Sequence, residues 1–114
     1  MTRHNDTIYL RHMLQHALEA QSHAAGQSVE TLRNSRVLQL ALFHLVEIVG
    51  EAASRVSKET RDRHPEIPWR GAIGMRNRIV HGYEVLDVDV LWDTLKEDVP
   101  PLIVQLTSIL SEEP

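Results

Sequence analysis

Five side chains that can bind phosphate or move protons lie close together in the last third of the chain. The stretch from residue 76 to residue 83 holds Arg76, Asn77, Arg78, His81 and Tyr83. An arginine guanidinium binds phosphate through a planar, permanently charged fork, and histidine takes up and releases protons near neutral pH. Because RNA supplies its own 2′-hydroxyl nucleophile, these side chains would suffice to cleave RNA without a metal ion.

In that chemistry the residues take different roles. His81 would withdraw the 2′-proton or protonate the leaving oxygen, a role worth about 10²- to 10⁴-fold in rate. Arg76 would stabilise charge on the phosphorus in the transition state. Asn77 would orient either group, and Arg78 would position the RNA backbone. The predicted products carry 2′,3′-cyclic phosphate or 3′-phosphate ends.

Spacing alone does not bring Arg76 and His81 to one phosphate. They are five residues apart, about 140° on an ideal helix, whereas Asn77 and His81 share a face. Convergence requires that the helix ends before Gly82 so that His81 can turn, or that two copies meet across a symmetric interface. A purely structural interpretation stays open, in which Arg76 pairs with a carboxylate such as Glu51 and His81 caps the helix.

Two further features have a structural and a functional interpretation. Tyr83 follows the predicted helix stop and is typical of a half-buried packing residue. Glu47, Glu51 and Arg55 are four residues apart and predict an ion-pair ladder on one helix face. Alternatively, Glu51 supports the site by orienting one of the two candidate catalytic side chains.

The composition limits the class of protein. A chain of 114 residues accommodates one domain with a modest core. Cysteine is absent, which excludes disulfides, thiolate metal sites and cysteine nucleophiles. No apolar run reaches the roughly 18 residues that span a bilayer, and the polar N-terminus resembles neither a signal peptide nor a membrane anchor. We therefore expect a single cytoplasmic domain, residues 1–114, without a cofactor.

Charge is distributed unevenly along the chain, whose net charge is −4. Residues 55–81 carry seven Lys or Arg against three Asp or Glu, whereas residues 84–114 carry one lysine against eight acids. A local basic segment binds phosphate even in an acidic protein, because the field that matters is local. The alternative is a solvated helix surface with scattered charge.

Apolar residues recur at helical spacing along most of the chain. Helix one is predicted to begin at a cap among Asn5, Asp6 and Thr7 and to end before Gly26. The other predicted helices are residues 29 or 34 to 57, a short turn over 58–63, a helix from Pro68 to Val80, and a last helix capped by Asp87 or Asp89 that Pro100-Pro101 kinks or splits. The pattern predicts an all-α, antiparallel bundle of four to five helices.

The seven histidines of the chain also invite a metal hypothesis. His12, His16 and His23 fall within one sector of helix one, and the first two are spaced to hold a divalent ion. No carboxylate lies on that sector with matching spacing, so we predict no dedicated metal site and leave an incidental one open.

Four segments together resemble a known family. Residues 76–83 are similar to the Arg-x4-His-x-Tyr motif of HepT-like toxins, which belong to the HEPN superfamily of helical ribonucleases. The likeness extends to Val-Gly-Glu-Ala-Ala at 49–53, Ile-Pro-Trp-Arg at 67–70 and Asp-Val-Leu-Trp at 89–92. It covers most of the chain from about residue 34 to 101.

The resemblance implies a metal-independent RNA endonuclease with an HEPN-like fold. It implies a homodimer in which paired motifs line a shared cleft, with Arg76 and His81 as catalytic residues. It also implies a nucleotidyltransferase antitoxin of the MntA type, which silences the toxin by transferring AMP onto Tyr83. Two rival interpretations are a non-catalytic helical module that binds such a partner or a nucleotide, and a domain that supports nucleotidyl transfer on another molecule.

Overall fold

The computed structural model describes residues 3–81 and 85–112, without the side chains of residues 3 and 4. Gly82 and the predicted modification site Tyr83 lie outside the described residues. The elements are α1 (Arg3–Ala24), α2 (Val29–Arg33), α3 (Arg36–Arg55), α4 (Lys58–Arg63), α5 (Trp69–Ile73), α6 (Met75–Ile79), β1 (Val80–His81), β2 (Val85–Leu86), α7 (Val88–Asp93), a π-helical turn (Thr94–Asp98) and α8 (Val99–Ser111). The all-α prediction is confirmed.

Side-chain caps determine where four of these helices begin. Ser28, Ser35, Ser57 and Asp87 each stand before a helix and accept a hydrogen bond from the backbone N–H three residues later. Such a cap satisfies one of the donors that the first turn of a helix leaves without a partner. The predicted cap Asp87 is therefore confirmed, and so is the short helix over residues 58–63.

The core lies between α1, α3 and α8. α1 packs most extensively on α3 and next on α8, while α5 and α6 lie against α3. α3 buries residues from Leu42 onward, among them Val46, Val49 and Ala53. By length and composition α3 is also apolar enough to span a membrane. The central helix of a bundle has the same composition, because it is covered on several sides.

Asp6 is not a helix cap, contrary to the prediction that placed one at Asn5, Asp6 or Thr7. The helix begins earlier, and the Asp6 carboxylate is 3% exposed. It accepts hydrogen bonds from the Ser57 N–H at 2.9 Å and from the hydroxyls of Ser57 and Thr60. Burial would raise the pKa of Asp6, but these hydrogen bonds outweigh burial and hold the pKa below its usual 3.8. The contact also shows that α1 and α3 are antiparallel, because Asp6 begins one and Ser57 follows the other.

The predicted helices are more divided than expected. Of the two starts predicted for the second helix, residue 34 is close to the observed start of α3 at Arg36, and residues 29–33 form the separate helix α2. The third predicted helix is broken at Gly74 into α5 and α6. The last helix contains a π-helical turn, after which Pro100 and Pro101 occupy the first turn of α8, where proline is tolerated. The strands β1 and β2 were not predicted, because two residues are too few to show alternation.

Candidate active site

The two buried residues of α6 determine where the motif side chains lie. Met75 and Ile79 are four residues apart and face the core. The three residues between them, Arg76, Asn77 and Arg78, are therefore exposed. Within the described part of the chain they line three separate grooves around α6. One chain alone thus spreads these three side chains over different sides of a short helix.

Gly50 brings this helix close to α3. A β-carbon at position 50 would stand 2.9 Å from the Ala72 carbonyl oxygen and 3.5 Å from that of Ile73. The missing side chain therefore allows the backbone of α5 to lie directly on α3. The role of Gly50 is to position α5, and with it α6, which follows after Gly74.

Arg76 is held by Glu47 of α3. The Arg76 Nε–H donates to the Glu47 carboxylate, with 2.8 Å between Nε and Oε2. The pair lies at a groove of about 400 Å³ that Glu51 and Ile73 also line. Glu51, the predicted supporting residue, instead pairs with Arg55 at 3.2 Å. Glu51 lines the groove one helical turn from Glu47, but its carboxylate is engaged by Arg55 and not by the Arg76 guanidinium.

Arg78 is anchored on the opposite side of α6. Its Nη1 donates to the Gly71 carbonyl oxygen at 3.1 Å, and its Nη2 lies 3.4 Å from the Asp98 carboxylate. These contacts tie α6 to α5 and to the π-helical turn. Arg78 therefore has a structural role in the single chain, besides any contact with a ligand.

His81 stands just beyond the helix. α6 ends at Ile79 and the backbone of Val80 is extended, so His81 lies in β1, where it pairs with Val85 of β2. The His81 side chain is 63% exposed, and its Nε2 lies 3.7 Å from the Asp87 carboxylate. The Asp87 N–H donates to the Ile79 carbonyl oxygen at 2.7 Å. Of the two arrangements that the spacing allowed, the helix therefore does end before His81.

Two carboxylates at the motif were not assigned to it from the sequence. Glu47 entered only as a member of an ion-pair ladder, and Asp87 only as a helix cap. Glu47 is 29 positions from Arg76 in the sequence, whereas Asp87 follows His81 by only six positions. The spacing of Glu47, Glu51 and Arg55 was the available signal, because it placed acids on one face of α3.

The prediction that no carboxylate lies on the histidine sector of α1 with matching spacing is wrong, because Glu19 is one turn from His23 and pairs with it. His16 Nδ1 donates to the His12 carbonyl oxygen at 2.7 Å, and the two rings stand edge to face at 6.2 Å. His23 lies 3.5 Å from Glu19. Among the described side chains, those of residues 5–81 and 85–112, no three histidine or acidic groups come together as metal ligands.

Comparison with known proteins now identifies the family. The family model "Ribonuclease HepT-like" matches residues 13–109, which include all four segments quoted above. The chain belongs to the HepT-like family. This is a family of HEPN-type ribonucleases, so the predicted membership is confirmed.

Individual relatives agree with the family model. The chain is 33% identical over 105 residues to "Putative RNase TTE0752" of Caldanaerobacter subterraneus subsp. tengcongensis, covering 92% of this chain and 94% of the relative. It is 45% identical over 64 residues to "Probable ribonuclease HepT" of Thermococcus cleftensis, covering 56% and 58%. It is 35% identical over 69 residues to "Putative RNase MJ1380" of Methanocaldococcus jannaschii, covering 60% and 63%. No solved structure matches this HepT-like chain.

Proposed function

We propose that this HepT-like protein is a metal-independent endoribonuclease whose catalytic residues are Arg76 and His81. The observation that carries the proposal is the exposure of both side chains, Arg76 in α6 and His81 just beyond it, each beside a carboxylate. Membership of a ribonuclease family supports RNA as the substrate.

The reaction follows from the two side chains and the substrate. The 2′-oxygen attacks the adjacent phosphorus, the bond from phosphorus to the 5′-oxygen breaks, and a 2′,3′-cyclic phosphate and a 5′-hydroxyl result. His81 takes the 2′-proton or supplies one to the 5′-oxygen, and Arg76 stabilises charge on the non-bridging oxygens. Arg78 and Asn77 hold the strand, and Glu51 borders the groove in which Arg76 acts.

We further propose that the active form is a homodimer with the motif in a shared cleft. Val37 is 79% exposed and Leu40 is 46% exposed, although both are large apolar residues of α3. They lie on the same helix face as His44 and Glu47, because the four residues recur every three or four positions. This apolar face thus leads directly to the Arg76 groove, and a second copy covering it would bring its own motif nearby.

Cleavage of a labelled single-stranded RNA in excess EDTA tests the chemistry. Untagged protein should cleave it to cyclic-phosphate ends, and Arg76→Ala and His81→Ala should each lower the rate at least 100-fold. Arg11→Ala, an exposed arginine on α1, is the matched control and should cleave normally. Activity that persists in both motif variants, or 3′-hydroxyl products, would contradict the proposal. Complete inactivity of unmodified protein would favour the non-catalytic binding module.

Mixing the two inactive variants tests the shared cleft. If Arg76 of one subunit works with His81 of the other, mixed dimers contain one intact cleft, and activity should recover to about a quarter. If both residues act within one subunit, mixing restores nothing, and the shared cleft is wrong.

We also propose regulation by a nucleotidyltransferase antitoxin of the MntA type. Tyr83 follows His81 by two residues, so AMP transferred from ATP to its phenol oxygen, with release of pyrophosphate, would place an anion at the cleft and repel RNA. Tyr83→Phe should keep RNA cleavage but escape silencing by such an enzyme, with mass spectrometry showing no AMP adduct. Continued AMP transfer to Tyr83→Phe would exclude this site.

A further inference from the structure

A basic groove lies between α4 and α5, on the Asn77 side of α6. Its volume is about 880 Å³, about twice that of either of the two other grooves around α6 described above. Lys58, Arg61, Trp69, Arg70 and Asn77 line it together with Asp62. None of these residues except Asn77 has a role in the chemistry proposed above.

Charge distinguishes this groove from its neighbours. The groove at Arg78 is also lined by Glu66, Glu97 and Asp98, and that at Arg76 by Glu47 and Glu51, so acids outnumber bases in both. In the basic groove three bases face one acid. Of the three grooves, only this one offers a polyanion a net attraction.

Two of the three bases differ from the third in having no carboxylate partner among the described residues. Lys58 is engaged by Asp62 at 2.7 Å. Among the described residues, neither the Arg61 nor the Arg70 guanidinium has a carboxylate partner. The Nε atom of Arg61 is buried, so a ligand in the groove cannot reach that atom of the guanidinium. A guanidinium without a carboxylate partner in a groove is suited to phosphate, which it binds through two parallel N–H donors.

Trp69 adds an aromatic surface. Its indole N–H donates to the carbonyl oxygens of Arg61 at 3.2 Å and of His64 at 3.0 Å, which fixes the ring at the end of α4. With the N–H engaged, the indole contributes its apolar ring to the groove. Basic side chains beside an aromatic ring are typical of sites for single-stranded nucleic acid, where bases stack and the backbone follows the charge.

The basic groove also adjoins the catalytic motif. Ile73 lines both this groove and the groove that contains Arg76, and Asn77 is the residue after Arg76. A strand that leaves the basic groove therefore reaches Arg76 by crossing Ile73.

We propose that the basic groove binds the single-stranded RNA next to the cleavage site, with Arg61 and Arg70 on phosphates and a base on Trp69. This inference rests on the proposed ribonuclease function, since it supplies the path of that substrate. An acidic protein partner would also be attracted by the arginines, but the aromatic ring and the continuity with Arg76 favour RNA.

Binding of a fluorescein-labelled 2′-O-methyl oligouridine of 12 nucleotides tests the groove independently of catalysis. The blocked 2′-oxygen cannot attack, so binding is measurable whether or not the chain is a ribonuclease. By fluorescence anisotropy at about 50 to 200 mM KCl, Arg70→Ala should bind roughly 3- to 10-fold more weakly, and the slope of log affinity against log salt should fall by about 0.7. The matched control Arg11→Ala should leave the affinity and the slope unchanged.

A fluorescence measurement reports on stacking. The chain has two tryptophans, so Trp92→Phe leaves Trp69 as the single reporter, and the oligonucleotide should quench its emission. Trp69→Leu should weaken binding about tenfold, and Trp69→Phe, which keeps an aromatic ring, should recover much of that loss.

The outcomes separate the two proposals. Equal weakening by Arg70→Ala and Arg11→Ala, or no quenching of Trp69, would overturn the groove, even if RNA cleavage depends on Arg76 and His81. Preferential binding of an acidic peptide through Arg70, with oligonucleotide binding unaffected, would also overturn it in favour of a protein partner. Specific weakening in protein that never cleaves RNA would retain the groove and reject the ribonuclease mechanism.

Discussion

Replacing Gly50 by alanine tests the contact that positions the motif. At an exposed site in the middle of a helix, alanine is favoured over glycine by about 1 kcal/mol. At position 50 the new β-carbon would stand 2.9 Å from the Ala72 carbonyl oxygen, where ordinary contact begins at 3.4 Å. The backbone of α5 would have to move by about 0.5 Å, and overpacking of this kind costs roughly 1 to 3 kcal/mol.

The expected result is a loss of stability instead of a gain. The two effects leave Gly50→Ala less stable by up to about 2 kcal/mol, with about 1 kcal/mol at mid-range, which corresponds to a fall in Tm of several degrees for a domain of this size. Urea unfolding followed by circular dichroism measures the free energy of unfolding. The variants Gln15→Ala and Gln15→Gly, at an exposed position of α1, give the difference between alanine and glycine in this protein without a clash.

The same substitution should affect function through Arg76. Because α6 follows α5 after one residue, displacement of α5 moves Arg76 relative to Glu47, and RNA cleavage should fall more than the loss of folded protein explains. The reasoning would be refuted if Gly50→Ala raised the free energy of unfolding by as much as Gln15→Ala exceeds Gln15→Gly and if the variant cleaved RNA normally. In that case the close contact between α3 and α5 would not position the motif.

Three further predictions concern the carboxylates. Glu47→Ala should lower the RNA-cleavage rate about tenfold by releasing Arg76, whereas Glu47→Gln keeps an acceptor for the guanidinium and most of the rate. Because the Arg76 side chain of this ion pair is more than a third exposed, the free energy of unfolding in urea should change by less than about 0.5 kcal/mol in either variant. Asp6→Asn should destabilise the fold by about 2 to 3 kcal/mol at pH 7. Because the pKa of Asp6 is lower in the folded protein, its contribution is present above about pH 4 and is lost as the pH falls further. Urea unfolding should therefore show the difference between wild type and Asp6→Asn shrinking as the pH is lowered below about 4. Asp87→Ala should cost about 1 kcal/mol in urea unfolding through loss of the α7 cap, whereas Asp87→Ser keeps the cap and should change only RNA cleavage, through His81.

Local signals in the sequence predicted much of the fold. Helix periodicity, the aspartate cap of the last helix and the proline positions lie within a few residues of the features that they produce, so they could be recognised without a structure. The serine caps at residues 28, 35 and 57 were equally local but were not predicted. The signals that were recognised indicated the all-α class, the short helix over 58–63, the end of the first helix before Gly26 and the cap at Asp87. They failed where a long-range contact replaced a local one, as at Asp6, whose partners are 51 and 54 residues away.

The sequence by itself determined which chemistry is available, because Arg76, His81 and their spacing are local properties of six consecutive residues. Tertiary structure alone decided how these side chains are held, because Glu47 reaches Arg76 only when α6 lies against α3. That approach depends on Gly50, whose missing side chain matters only once another backbone stands 2.9 Å from where a β-carbon would be. Likewise, Arg61 and Arg70 of the basic groove differ from other arginines in the charged and aromatic side chains around them. Packing between distant segments determines which side chains those are.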